Sequence, residues 1–227
     1  LPSKQPINNQ SRRRGHRGIN GELLTPFRNI PVNSDWENDI LDDELSLTDR
    51  NTKVPRDLIV SLIKAQREGS VFIALDIFSG TKSLKTALQD FFPAVQIEYI
   101  SWDWDPKFNP THYADICEWK TYIITLEGEE RERFRPGYFD FIWISPDCAP
   151  RSNANTTGQR NLELSKAQTM AATELVEYLN PRVTCMENPE SSLFQLREAP
   201  FIKEVKRRLN IQPYSTTYCC YNFPYKK

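Results

Sequence analysis

Apolar positions along this chain fall into short runs that stop at an acid or a glycine, and the segments between them repeat with helical spacing. Asp57 to Arg67 sets Leu58, Ile59, Leu62 and Ile63 on one face, with Pro55 before it and Gly69 after it, and so predicts a short amphipathic helix that packs on a sheet. The run Val71 to Phe78 stops at Ser79-Gly80, and Lys82 to Asp90 reads as a helix. Val95 to Ile100 predicts a second strand ending at Asp103-Trp104-Asp105-Pro106, a short segment follows around Tyr113 to Trp119, and Phe139 to Ile144 predicts a further strand. Leu164 to Leu179 reads as a long helix, Val183 to Met186 as a brief strand, Ala199 to Leu209 as a helix, and Tyr218 to Phe223 as a last apolar segment. Strands alternating with helices imply an α/β fold, a doubly wound and mainly parallel sheet with helices on both faces. In such a sheet ligands belong at the carboxyl ends of the strands.

The pattern starts late. Residues 1–52 carry no sustained apolar period. They hold a basic cluster, Arg12, Arg13, Arg14, His16 and Arg17, and then an acidic one from Asp35 to Glu44, which reads as a flexible charged segment ahead of one domain over 53–227. At 227 residues one substantial core is the default. A formal net charge of −1 gives no global signature of a nucleic-acid binder, so such a partner would be held by a local patch. The five cysteines, Cys117, Cys148, Cys185, Cys219 and Cys220, lack metal-ligand spacing. They fit reduced thiols of an intracellular protein, nuclear in a eukaryote and cytoplasmic in a phage or bacterium. No apolar run is long enough for a membrane span, and no metal site is expected. A first residue Leu1 in place of methionine suggests a fragment or a processed product.

Candidate chemistry sits at the strand ends. The turn Asp76-Ile77-Phe78-Ser79-Gly80 occupies the first strand-to-helix connection, where a nucleotide-like ligand binds, and Gly80 permits close backbone approach. Asp103, ending the neighbouring strand, can accept hydrogen bonds from ribose hydroxyls, Trp104 offers a face to adenine, and Asp115 could reach the base. Each alone is more often a turn residue; in this order they point to an adenosine ligand. The missing Gly-x-Gly-x-x-Gly fingerprint argues against a dinucleotide and leaves room for S-adenosylmethionine. Cys148 follows a strand within Ser145-Pro146-Asp147-Cys148-Ala149-Pro150, a proline-stiffened turn of the kind that supports a nucleophile. Glu187, after an apolar strand and before Asn188-Pro189, is placed to act as a general acid if partly desolvated, its duller alternative being a charge at a helix N-terminus. The other four cysteines read as inert, buried small hydrophobes.

Together these residues resemble the DNA cytosine-5 methyltransferase family, especially its compact phage and mobile-element forms, from about Phe72 to Lys227. Asp76 to Gly80 resembles the family's Asp-Leu-Phe-Ser/Ala-Gly turn, Ser101 to Asp105 its second motif, and Asp115-Ile116 its third. Pro146 to Ser152 resembles its Pro-Pro-Cys-Gln-Pro-Phe-Ser loop, Glu187-Asn188-Pro189 its Glu-Asn-Val turn, and Tyr221 to Lys227 its Tyr-Gly-Val-Pro-Gln-x-Arg segment. The resemblance implies an S-adenosylmethionine-dependent, Rossmann-like methyltransferase fold. Its cofactor would be held by Asp76, Phe78, Ser79, Gly80, Asp103, Trp104, Asp115, Ile116 and Pro146, and its DNA by Arg151, Ser152, Asn188 and Lys227. Cys148 would add to carbon 6 of a flipped cytosine while Glu187 protonates the ring nitrogen, and carbon 5 would then take the methyl group. Arg151, Arg160 and the basic segment would offset the cost of flipping through phosphate contacts.

Three departures from that pattern are informative. Asp147 replaces the proline before the nucleophile and Ala149 the usual glutamine, so a carboxylate beside the thiol disfavours the thiolate. Thr81-Lys82-Ser83 replaces a glycine-rich continuation, and Lys82 would disfavour the cofactor's sulfonium unless it points outward. The family's target-recognition domain and final cofactor-pocket helix are missing after Lys227, which implies a second subunit or a further C-terminal segment for readout. The helix Asp57 to Arg67 would stand in for that final helix. Two other readings remain open: a degenerate methyltransferase fold serving as a DNA-binding or regulatory subunit, and a methyltransferase of RNA or a pyrimidine nucleotide.

Overall fold

The computed structural model describes residues 56–147, 150, 161–187 and 199–210. The charged segment 1–52 and the apolar stretch Tyr218 to Phe223 lie outside the described residues. In chain order the elements are α1 (Arg56–Glu68), β1 (Phe72–Ile77), α2 (Ser83–Phe91), β2 (Ile97–Asp103), β3 (His112–Tyr113), α3 (Trp119–Thr125), α4 (Gly128–Arg133), β4 (Phe141–Ile144), α5 (Leu162–Leu179), β5 (Val183–Met186) and α6 (Ala199–Leu209). Two single-turn 3-10 helices, Pro106–Phe108 and Ile116–Glu118, bracket β3.

The strands form one sheet in the order β3-β2-β1-β4-β5, and every neighbouring pair is parallel. The expected doubly wound α/β sheet is therefore present, and wholly rather than mainly parallel among the described residues. Its physical cause is visible in the strands, which are buried on both faces and so read as continuous apolar runs. On one face Leu75, Ile77, Ile100, Trp102, Ile142 and Ile144 meet Trp119 and Ile123 of α3 and Ala172, Leu175, Val176 and Leu179 of α5. On the other, Phe72, Ala74, Phe141 and Val183 meet Leu58, Leu62 and Ala65 of α1 and Leu88 of α2. The helix expected over Asp57 to Arg67 thus packs on the face of β1.

Helix ends follow local chemistry. Asn161 caps α5 by accepting from the Leu164 N–H at 3.0 Å, and Asn180, at φ 46°, ends it in the left-handed conformation that asparagine tolerates. Helix α6 is tied to α5 by the Arg208 to Glu177 ion pair, and Leu209 packs on the larger core cluster. Helix α4 was not expected: its sequence Gly-Glu-Glu-Arg-Glu-Arg has no apolar stripe, and it is supported by ion pairs such as Arg133 to Glu130 at 3.3 Å and Arg133 to Glu98 at 3.5 Å.

The strand order reverses direction between β1 and β4, since the chain builds outward from β1 through β2 to β3 and then returns to the other side. A crevice at the carboxyl ends of β1 and β4 is the expected ligand position in such a sheet. Both the first glycine turn and the segment leading to Cys148 leave the sheet there.

Candidate functional site at the switch point

The turn after β1 holds an unusual backbone. Phe78 (φ 65°), Gly80 (φ 45°) and Lys82 (φ 58°) are all left-handed, and a residue with a β-carbon pays roughly 1–2 kcal/mol for that conformation. The two neighbours of β1 hold Phe78 there. Its N–H donates to the Trp102 carbonyl at 2.9 Å, and its own carbonyl accepts from Ser145 Oγ at 3.3 Å. Gly80 is required for its φ rather than for closeness, since a β-carbon there would meet only the Phe78 carbonyl, at 3.9 Å.

Asp76 points from β1 into the face covered by α1 and α2, and Tyr99 shares that face, with its hydroxyl donating to Asp76 Oδ2 at 2.5 Å. The carboxyl is 2% exposed, and burial, opposed by the tyrosine's hydrogen bond and reinforced by the Asp103 charge, raises its pKa to about 6. Burial, the Asp76 charge and that same bond push the Tyr99 hydroxyl up, so it stays a donor. Asp76 Oδ1 and Ser79 Oγ are buried and have no hydrogen-bond partner among the described residues. Tyr99 is the site residue that the sequence reading missed. The available signal was the period of two that puts residues 99, 101 and 103 on one face of β2.

Asp103, at the end of β2, closes onto the same turn. Its Oδ2 accepts from the Gly80 N–H at 2.8 Å and its Oδ1 from the Asp105 N–H at 2.9 Å. Each oxygen keeps a second lone pair for a hydroxyl. Trp104, directly beyond, is 59% exposed, which is high for so large an apolar side chain and leaves a ring face open. Asp115 is exposed and caps the second 3-10 helix by accepting from the Cys117 N–H at 2.9 Å. Ile116 is 3% exposed and sits in the larger core cluster, so its side chain serves packing and only its backbone is left for a ligand. Lys82 is half-buried, and its Nζ donates to the Asn109 carbonyl at 2.6 Å.

The other half of the rim comes from β4 and β5. Ile144 pairs with Met186, and the Glu187 N–H continues the ladder by donating to the Ile144 carbonyl at 2.9 Å. The Ser145 N–H donates to Ile77 at 3.1 Å, which fixes the start of the Ser145-Pro146-Asp147 segment against β1. Pro146 is buried and Asp147 exposed. Glu187 is half-buried, and desolvation raises its carboxyl above the ordinary range, which favours a held proton. Cys148, Arg151, Ser152, Asn188 and Lys227 lie outside the described residues, as do Ala149, Arg160, Cys219 and Cys220. Cys185 is half-buried, and burial pushes its thiol up to about 11, which agrees with an inert role. Cys117, expected to be buried, is exposed; desolvation first and then the Asp115 carboxylate raise its pKa, so it too stays protonated.

An adenosine ligand bearing a polar amino-acid tail would need an aromatic face, acceptors for its hydroxyls and polar partners for its tail. An open indole face, a carboxylate with spare lone pairs and two orphaned buried polar atoms lie on one rim, at the ends of adjacent strands. Among the described residues no His, Cys, Asp and Glu cluster could hold a metal ion, and no helix is long and apolar enough to cross a membrane. In comparisons with known proteins the chain matches no family model and no curated sequence.

Proposed function

We propose that this protein transfers a methyl group from S-adenosylmethionine to carbon 5 of cytosine in DNA through a covalent cysteine adduct. The observation that carries the reading is the β4–β5 pairing, which sets a half-buried Glu187, its pKa raised by desolvation, beside the start of the Cys148 segment and across the switch point from the β1 turn. Asp76, Ser79, Asp103 and Trp104 would hold S-adenosylmethionine, which supplies an electrophilic methyl group to the crevice.

Within the protein the division of labour follows from position. Cys148, one residue beyond Asp147, would add its thiolate to carbon 6 of a base extruded from the duplex. Glu187 would hydrogen-bond the ring nitrogen and deliver a proton to it as negative charge develops, and burial, which raises its pKa above the ordinary carboxylate range, favours the acid form that role needs. Once carbon 5 has taken the methyl group, a water or hydroxide would remove the carbon-5 proton, the thiolate would leave from carbon 6, and the ring nitrogen's proton would return to the Glu187 carboxylate, restoring the aromatic ring. Arg151, Ser152, Asn188 and Lys227 are the proposed DNA contacts.

Asp147 favours a second reading, a DNA-binding or regulatory subunit with a methyltransferase fold and no turnover. Its exposed carboxylate stands where the resembled family has proline, next to the nucleophile. One experiment separates the two. Full-length protein and an Asp147→Pro variant are incubated with S-adenosylmethionine and a duplex containing 5-fluorocytosine, and the denaturation-resistant complex is mapped by mass spectrometry. An adduct on Cys148, stronger in the variant, is expected of the enzyme. Absence of cofactor binding by calorimetry at millimolar ligand would remove the enzymatic reading.

A further inference from the structure

We propose that Lys82 is a positioning residue for the nucleoside half of the ligand, a strap that closes the β2–β3 loop onto the first turn. The idea rests on the cofactor reading above and adds a residue which that reading does not use. Three observations carry it. Lys82 adopts φ 58°, a conformation that a residue with a β-carbon keeps only where its surroundings impose it, and such strain gathers at ligand clamps. It stands at the N-terminal boundary of α2, where its N–H donates to the Ser79 carbonyl at 2.8 Å and its own carbonyl accepts from the Thr86 N–H at 3.4 Å, but its side chain makes no cap and takes no part in starting the helix. Its ammonium instead reaches 27 residues along the chain to the Asn109 carbonyl, at 2.6 Å.

Asn109 is itself left-handed, at φ 47°, and ends the 3-10 helix Pro106–Phe108. The loop held in this way begins at Trp104 and contains Asp105, whose N–H binds Asp103. Asp105 in turn caps that 3-10 helix by accepting from the Lys107 N–H at 3.1 Å, and it also pairs with the Lys107 ammonium. The Gly80 N–H bond to Asp103 forms an inner tie between the turn and the end of β2, and Lys82 to Asn109 forms an outer one. The inner tie ends on the carboxylate proposed for the ribose, and along the chain Trp104, the indole proposed for adenine, falls between the two anchored residues, Asp103 and Asn109. Held by both, the loop presents Trp104 and Asp103 in one arrangement before the ligand arrives, which lowers the ordering cost of binding.

Glycine would relax the backbone at position 82 and delete the tie, so stability and affinity should move in opposite directions. In full-length Lys82→Gly protein the melting temperature is expected to hold or rise. The Kd for S-adenosylhomocysteine should weaken roughly five- to tenfold, chiefly through faster release. Amide exchange between Trp104 and His112 should accelerate about tenfold in the absence of ligand. Lys82→Met, which keeps the strain and loses the tie, should lower both stability and affinity. A glycine variant that binds as tightly as the parent overturns the proposal, and so does one that loses affinity only in proportion to lost stability. The exchange measurement needs no ligand. If the parent protein fails to bind S-adenosylhomocysteine, the cofactor reading falls, and unchanged exchange in the glycine variant would show separately that the strap itself does not hold the loop.

Discussion

Asp76 shows how one side chain can set the pH behaviour of the site. Its carboxyl titrates at about 6 against 3.8 for an unperturbed aspartate, because burial outweighs the Tyr99 hydrogen bond. A folded-state pKa above the unfolded one means that the native state binds the extra proton between those values. This contribution to stability is complete below pH 3.8 and is lost as pH rises through about 6. Asp76→Asn keeps an acceptor for Tyr99 and removes the buried charge, so it should stabilise the protein by about 1–3 kcal/mol near pH 8. The gain should fade as pH falls from 6 towards 4, as urea titrations across that range would show. Glu187 makes the complementary case in catalysis. Burial raises its pKa, so the acid form persists to higher pH and methyl transfer should decline as pH passes that raised value. Glu187→Gln should abolish this alkaline limb and reduce kcat by roughly 10²–10⁴, with S-adenosylhomocysteine affinity nearly unchanged. Both acids were legible in the sequence as strand-end carboxylates. Tyr99 was not, because a tyrosine inside an apolar run looks like packing until the register shows that its hydroxyl meets a buried acid.

Among the elements, those that bury a face declared themselves and those that do not stayed silent. The strands were readable to within a few residues because both faces are covered, and α1, α5 and α6 were readable from helical spacing. Helix α4 was invisible for the opposite reason: charge pairs hold it and no apolar stripe marks it. The stretch around Tyr113 to Trp119 resolved into a two-residue strand, a 3-10 turn and the start of α3, a subdivision that its sequence does not signal. The turn after β1 lies between these cases. Its glycine was plain, and Lys82 within Thr81-Lys82-Ser83 stood out against the glycine-rich continuation of the resembled motif, but the left-handed Phe78 depends on bonds to Trp102 and Ser145 that only the assembled sheet provides. Helix α1 offers a direct check of element packing. Leu62 is fully buried between α1 and the β1 face, and Leu62→Ala should cost about 2–5 kcal/mol by chemical denaturation. Such a loss would establish α1 as part of the domain core.

Over the whole molecule, the proposed site divides along the chain. Residues 76 to 115 are those proposed for adenosine, whereas Ser145 to Asp147 and Glu187 are proposed to lie near the base, and the two groups leave the sheet on either side of the β1–β4 pairing. The sequence suggested this division through an ordered series of motifs but could not show the strand order, which depends on pairing between segments remote along the chain. That order has a consequence for the emerging polypeptide. The central strand lies next to β2 within a few dozen residues of its own synthesis, yet the partner on its other side is β4, with Asp76 opposite Trp143. Until the ribosome has delivered β4, Ala74 to Ile77 present an unsatisfied row of amides and carbonyls flanked by apolar side chains, a surface prone to pair with another chain. A product that stops before residue 141 would therefore hold the half of the site proposed for adenosine and an open sticky edge. Insolubility is the fate to expect of such truncations, and of stop codons that fall ahead of β4.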